Sequence, residues 1–207
     1  MTAAILDVPQ GDLGPLDPEH FVQLRQSRRR AKKIRGAVRF ASISGWTTLL
    51  AGLLALPFAI GDGTVLALAL ALCAVGYHEL ALRKSLRRLD RGAPGALALN
   101  QVILAVVIIA YAAWQLVKAT TGEGALSSAF AADPAIAAEP QLANITESLA
   151  SLERTVMLAI YGGLIAGTVL MQGLGVRYYM SRRKHLCTFI AETPPWVLTL
   201  HRTGVMG

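Results

Sequence analysis

Four long apolar stretches without a charged side chain limit what this sequence can fold into. They cover residues 40–60, 64–77, 97–117 and 155–176. A helix rises about 1.5 Å per residue, so roughly 20 residues cross a hydrocarbon core of about 30 Å. Three stretches are long enough, and the second becomes so if it continues through His78 and Glu79 to about Leu82. Lipid offers the backbone no hydrogen bonds and the stretches do not alternate polar with apolar residues, which predicts helices rather than barrel strands.

The composition agrees with a membrane protein. Hydrophobic residues make up 54% of the chain and charged residues only 16%, whereas soluble domains carry about 25% charged residues. We therefore predict an all-α polytopic membrane protein with four transmembrane helices. Its expected segments are a basic N-terminal segment (1–39), a transmembrane hairpin (40–82), a basic loop (83–96), a third span (97–117), an outer loop and helix (118–154), a fourth span (155–180) and a C-terminal tail (181–207).

The distribution of basic residues predicts an orientation. Four spans place both termini on one side, and that side carries 18 of the 20 Lys and Arg residues. The other side has only Lys118 and Arg154. By the positive-inside rule, both termini are expected in the cytoplasm. The Ala-rich composition, without eukaryotic sorting signals, favours a bacterial inner membrane.

The sequence RQSRRRAKKIRGAVR, residues 25–39, holds eight of these basic residues and no acid. Asp17 and Pro18 indicate a helix start, and apolar residues then recur at helical spacing. This predicts an interfacial helix over about 18–35 that leads into the first span. Membrane lipid headgroups are the expected partners of Arg28, Arg29, Arg30, Lys32, Lys33 and Arg35. A docking surface for a cytoplasmic protein is the alternative, whereas nucleic acid is not expected because no aromatic residues interleave the run.

A heptad-like seam indicates one long fourth helix that starts near Pro140 and rises out of the bilayer. Its outer part consists of Leu142, Ile145, Leu149, Leu152 and Val156. It continues inside the membrane as Ala159, Gly163, Ala166, Leu170 and Gly173, and Gly167 completes a GxxxG pair with Gly163. Ser44, Thr48 and Gly52 form a similar small stripe on the first span. Small residues let helices approach closely in lipid, so the seam predicts packing within one bundle or, alternatively, a homo-oligomer.

Polar chemistry is sparse in the sequence. Glu79, at the end of the second span, is predicted to pair with Arg83 one turn later at the membrane surface, with a proton or cation role as the alternative. Asn100 and Gln101 are expected to form interhelical hydrogen bonds. The four His and two Cys residues have no metal-ligand spacing, and no catalytic motif is present. We therefore expect neither a cofactor nor an enzyme.

The C-terminal tail carries the last candidate site. Thr193, Pro194, Pro195 and Trp196 are expected to stop the fourth helix. The segment is predicted to be a second interfacial segment or an extended motif that docks a partner. The sequence as a whole predicts a non-catalytic accessory or scaffold subunit that binds lipids and other membrane subunits or itself. The alternatives are a small oligomeric transporter or channel subunit and, third, a membrane-anchored enzyme.

Overall fold

The computed structural model describes residues 17–121 and 140–203, with only the backbone described for residues 140–147 and 149. The described part is helical and contains no strand, which confirms the all-α prediction. The helices are α1 (Pro18–Ala55), α2 (Gly63–Arg87), α3 (Ala93–Thr120), α4 (Pro140–Glu192) and α5 (Pro195–Arg202), and a 3-10 turn (Leu56–Ala59) follows α1.

Four helices are long and apolar enough to cross a membrane, namely α1 with its 3-10 turn, α2, α3 and the part of α4 from Ala150. The mean hydropathy of their most apolar windows runs from 1.4 in α1 to 2.2 in α3. Few residues of these windows are covered by the rest of the chain, from 33% in α3 down to 6% in α4. Their apolar surface therefore faces outward, as expected where the solvent is lipid.

The basic segment and the first span are a single helix. Helix α1 has 38 residues, a length of about 57 Å. Its buried residues recur at steps of three, four or seven across the boundary between the two segments. They are Ser27, Ala31, Ile34, Ala37, Ala41, Gly45 and Gly52. The helix predicted over about 18–35 therefore forms the first part of α1 and leads directly into the span, and one face of its basic run packs on protein.

Helices α1 and α2 form a tight hairpin, as predicted. Gly61 adopts a positive φ of 89° in the turn, and Asp62 caps α2 by accepting hydrogen bonds from the backbone N–H groups of Thr64 and Val65. The pKa of Asp62 is lowered mainly by the hydrogen bond from the Thr64 hydroxyl and then by that from the Thr64 backbone N–H. The turn is thus fixed by a glycine and a cap, which joins two helices with very few residues.

The two helices of the hairpin approach each other through glycines. A Cβ on Gly76 would lie 2.6 Å from the backbone N of Leu49, and one on Gly52 would lie 2.7 Å from Sγ of Cys73. Neither position has room for a side chain unless the helices move apart. Gly52 belongs to the predicted small stripe, whereas Gly45 and Gly76, which complete the contact, were not predicted.

The connection from α2 to α3 is shorter than the predicted loop 83–96. Helix α2 continues to Arg87, and α3 begins at Ala93 with Pro94 in its first turn. Pro94 is compatible with this position, since the first turn of a helix needs no donor from proline. Leu89 adopts a positive φ of 60° in the turn, and its side chain is buried.

The main hydrophobic core lies where the basic residues are concentrated. We call this region the basic end: the first half of α1, the last turns of α2 and α4, the start of α3, and α5. The core residues are Ala31, Ile34, Ala37, Ala41, Leu86, Leu89, Ala93, Leu97, Ala98, Tyr179, Leu186 and Phe189. Helix α4, with 53 residues, spans about 80 Å and packs mainly on α3. The membrane segments therefore continue into a packed helical assembly at the basic end.

Candidate functional site

The four long helices meet at the carboxyl group of Glu79 on α2. Its Oε1 accepts hydrogen bonds from Gln101 Nε2 of α3 at 2.9 Å and from the Tyr179 hydroxyl of α4 at 3.1 Å. Its Oε2 accepts from the Ser44 hydroxyl of α1, also at 3.1 Å. We call these four residues the Glu79 cluster. Each long helix contributes one member, so the cluster fixes the relative depth of all four.

The predicted surface pair between Glu79 and Arg83 is wrong. Glu79 has 0% of its surface exposed, and Nη1 of Arg83 donates instead to the Ser42 hydroxyl at 2.7 Å. Among residues 17–121 and 140–203, no cation forms an ion pair with Glu79. Helices α1, α3 and α4 enclose the carboxyl, so it cannot reach the surface where that pair was expected.

The polar residues at the start of α3 bond between helices. Nδ2 of Asn100 donates to the carbonyl of Val75 at 3.3 Å, which leaves its Oδ1 facing Nδ1 of His78 at 3.0 Å. Because a carbonyl oxygen only accepts, Nδ1 of His78 carries the hydrogen. Gln101 also passes close to Gly175 of α4, where an added Cβ would meet its side chain at 3.4 Å. A band of hydrogen bonds therefore crosses the bundle at this depth.

The fourth helix turns its predicted seam away from the chain. All described members of the seam are exposed, namely Leu152, Val156, Ala159, Gly163, Ala166, Leu170 and Gly173. Leu152 is 59% exposed and Leu170 66%. Leu142, Ile145 and Leu149 belong to the same helix, but their side chains lie outside the described residues. The face of α4 that contains Glu153, Thr168 and Tyr179 is buried instead.

The GxxxG pair makes no contact within this chain. A Cβ added at Gly163 or Gly167 would meet no atom within 4 Å, and Ala159 is exposed. One of the two predicted alternatives was that this motif packs inside a single bundle. Among the described residues, no such packing is present. The small stripe on α1 behaves differently, since Ser44 and Gly52 both contact α2 and Thr48 is half-buried.

The six basic residues assigned to lipid headgroups are all exposed. Two of them also make contacts within the protein. Nη1 of Arg30 forms a salt bridge with Glu192 at the end of α4, with an N–O distance of 2.8 Å. Nη2 of Arg35 donates to the carbonyl of Arg28 at 2.9 Å. The outer face of the basic run is accessible while its inner face is covered.

The tail folds back instead of remaining extended. Helix α4 ends at Glu192, as predicted, but Pro195 starts the short helix α5. The ring of Trp196 lies edge-on to His20 of α1, with 5.1 Å between ring centroids. Thr193 is buried, Pro194 half-buried and Pro195 exposed. The segment predicted to dock a partner in extended form is therefore partly occupied by contacts with its own chain.

The fold and the site define a class, a multi-pass all-α membrane protein, and no narrower group. Within the described ranges, no three His, Cys, Asp or Glu residues are placed to hold a metal ion. No family model, no curated protein and no solved structure matches the chain.

Proposed function

We propose that this protein is a non-catalytic accessory or scaffold subunit of a membrane, which acts through helix packing, and that its partner along α4 is a second copy of the same chain. The observation that carries the proposal is the exposed seam from Leu152 to Gly173, which none of the helices in the described part of the chain covers. The opposite face of the same helix packs on α3. A helix with two packing faces, one of them unoccupied, is suited to assembly.

A second copy fits this seam for two reasons. Copies inserted in the same membrane share one orientation, so two α4 helices meet in parallel and bring equivalent heptad positions together. The composition of the seam also changes along the helix, from Leu152 and Val156 to Ala159 and Gly163. Apolar side chains associate in water, whereas small residues favour close contact in lipid. The change therefore suits a helix pair that crosses from one medium to the other.

The proposal includes an orientation and a location. The 18 to 2 distribution of basic residues supports cytoplasmic termini in a bacterial inner membrane. The exposed residues Arg28, Arg29, Arg30, Lys32, Lys33 and Arg35 then lie at the cytoplasmic side, where anionic headgroups attract them. Fusions of a periplasm-active reporter test the orientation, and activity of a fusion after Arg202 would contradict it.

Purification in mild detergent followed by mass measurement tests the assembly. We expect a protein mass of twice the 22.0 kDa chain, and we expect the mass to fall to that of one chain for Gly163→Leu, which places a bulky side chain in the seam. Gly162→Leu, on the neighbouring position, is the control. A wild-type protein that remains a monomer across a range of concentrations, with no co-purifying subunit, would contradict the proposal.

The Glu79 cluster favours a second candidate function, a subunit of a small oligomeric transporter. A carboxyl group enclosed by four membrane helices is a functional hypothesis by default, and Glu79 has no cation paired with it in the described part of the chain. Proteoliposomes loaded with a pH-sensitive dye test this candidate. Proton flux that Glu79→Gln reduces to the level of empty liposomes would support transport, and equal flux in both proteins would exclude a role of this carboxyl.

A further inference from the structure

A strongly basic cavity opens at the basic end, apart from both the Glu79 cluster and the seam of α4. Its volume is about 640 Å³, and fourteen residues of α1, of the end of α2 with the turn after it, and of the segment around α5 line it. Seven of them are Lys or Arg and none is Asp or Glu. Cavities of about 300–1,000 Å³ are typical of ligand sites.

Apolar residues cover part of the cavity wall. Ile34 and Val38 come from α1, and Leu86 and Leu89 come from the end of α2 and the turn that follows. The basic side chains include Arg39 of α1 and those of α2 and α5. The lining thus combines positive charge with an apolar surface, and an anion that also carries some carbon framework would match both.

Two polar atoms in the lining are buried and have no hydrogen-bond partner among the residues that the structure describes. They are Nε of Arg83 and Nε2 of His201. Buried donors and acceptors in folded proteins are paired in the great majority of cases. Nη1 of Arg83 donates to the Ser42 hydroxyl. This partner is uncharged and does not neutralise the guanidinium. Because none of the fourteen described lining residues is acidic, these unsatisfied polar atoms favour an anion as the group that completes the site.

The charges around the cavity repel one another as long as it contains no anion. Arg35 and Arg39 lie one turn apart on α1, and Lys84, Arg87 and Arg88 follow one another around the last turns of α2. Like charges at this spacing on a helix destabilise it. A single phosphate is small relative to about 640 Å³, so several anionic groups, or a phosphate joined to a larger framework, suit the volume better.

We infer that this cavity is a binding site for a phosphate-bearing anion, held by Arg and Lys side chains from α1, α2 and α5. Guanidinium groups bind phosphate oxygens through paired hydrogen bonds, which favours phosphate over halide. The phosphate could belong to a soluble polyphosphate or to the headgroup of an anionic lipid, since the cavity lies at the end of the membrane helices. The two sources share one chemistry and are distinguished by experiment.

Binding is measured with the full chain in phosphatidylcholine nanodiscs. The probes are inorganic tripolyphosphate and dioctanoyl phosphatidic acid, with dioctanoyl phosphatidylcholine as the zwitterionic control. We expect saturable binding of at least one anionic probe and none of the control. Binding of tripolyphosphate alone identifies a soluble anion as the ligand, and binding of phosphatidic acid alone identifies a headgroup. Failure of both anionic probes to bind would overturn the inference.

A matched pair of double variants locates the site. Arg39→Gln with Arg87→Gln removes two charges from the lining, and each lost contact to an anion should weaken binding about tenfold. Arg25→Gln with Arg183→Gln removes the same net charge from exposed positions of α1 and α4 outside the lining and should leave affinity within about twofold. If both double variants weaken binding of the anionic probe equally, net charge alone attracts the probe, and the assignment of the site to this cavity is wrong.

Labelling of the wild-type chain gives a test without substitutions. Lys84 lines the cavity, and Lys184 is exposed outside it. Acetylation with an amine-reactive ester, read by mass spectrometry, should slow at Lys84 when the bound probe is present and remain unchanged at Lys184. Equal rates at Lys84 with and without the probe would contradict the assignment even if binding is observed.

Discussion

The hydroxyl of Tyr179 on α4 donates a hydrogen bond to Oε1 of Glu79 on α2, over 3.1 Å and between residues that are 100 positions apart in the chain. Both side chains are fully buried. The bond connects the two helices through a carboxyl group that α1 and α3 also contact. The depth at which α4 packs is therefore fixed by one polar contact as well as by apolar packing.

Removal of this hydroxyl should destabilise the bundle. Tyr179→Phe retains the ring that packs on Phe40 but leaves Oε1 of Glu79 with one donor fewer, and loss of one buried hydrogen bond costs about 1–2 kcal/mol. Tyr178→Phe is the control, because that ring packs on Phe40 as well and Tyr178 is not a hydrogen-bond partner of Glu79. Thermal denaturation in detergent micelles measures both. Equal midpoints for the two variants would contradict the assigned role.

The close approach of α1 and α2 predicts a strong effect of one methyl group. In Gly76→Ala the new Cβ would lie 2.6 Å from the N of Leu49 and 2.9 Å from the O of Gly45, both of which are backbone atoms that cannot rotate away. Overpacking of this kind costs about 1–3 kcal/mol. Gly162→Ala, where nothing lies within 4 Å, should have no such cost. A Gly76→Ala protein as stable as the wild type would mean that the helices are farther apart.

Apolar packing should stabilise the basic end far more than its ion pair does. Phe189 is 3% exposed and touches the ring of His201, so Phe189→Ala should cost about 3–5 kcal/mol. Glu192→Gln breaks the salt bridge with Arg30, whose side chains are about half exposed, and should cost less than about 1 kcal/mol. Thermal denaturation measures the stability of both variants. A larger loss of stability for Glu192→Gln than for Phe189→Ala would contradict this ranking.

Docking of α5 should weaken in acid. Burial, then the charges of Arg35 and Arg28, lower the pKa of His201. The undocked histidine, with a pKa near 6.5, therefore binds a proton more readily than the docked one. Above about pH 6.5 the imidazole of His201 is neutral whether α5 is docked or undocked. As the pH falls below this value, the undocked histidine binds a proton first, so docking weakens until the pH falls below the lowered pKa of the docked histidine.

Hydrogen exchange of the α5 amides tests this dependence. Protection factors, corrected for the intrinsic rate at each pH, should fall between about pH 7.5 and about pH 5.5 in the wild type. They should stay constant in His201→Phe, which keeps a ring against Phe189 and does not titrate. The same decrease in both proteins would assign the pH dependence to another group.

The helices could be predicted from the sequence because their signals are local. Uncharged length identified the four spans, and the hairpin predicted over 40–82 is formed by α1 and α2. The spacing of apolar residues after Pro140 indicated one continuous helix, which the structure contains. The stop of the fourth helix before Pro194 and Pro195 was predicted correctly, but the start of α5 at Pro195 was missed, because the first turn of a helix accepts the same residue.

The Glu79 cluster could not be predicted, because it depends on which helix faces meet. A signal was nevertheless present, since Ser44, Glu79 and Gln101 are polar residues at similar depth in three adjacent helices. The pairing with Arg83 followed from spacing along one helix and ignored the other three. The basic cavity was missed for the same reason, since α1, α2 and α5 supply its residues from distant parts of the chain.

Cysteine cross-linking in native membranes tests assembly through α4 most directly. With Cys73→Ala and Cys187→Ser as background, Val156→Cys places a thiol in the seam. Leu158→Cys is the control, because Leu158 is 48% exposed, close to the 45% of Val156, and lies on another face of the helix. The account predicts a rapid disulfide-linked dimer for Val156→Cys and none for Leu158→Cys. Equal cross-linking at both positions, or none at Val156→Cys, would contradict it.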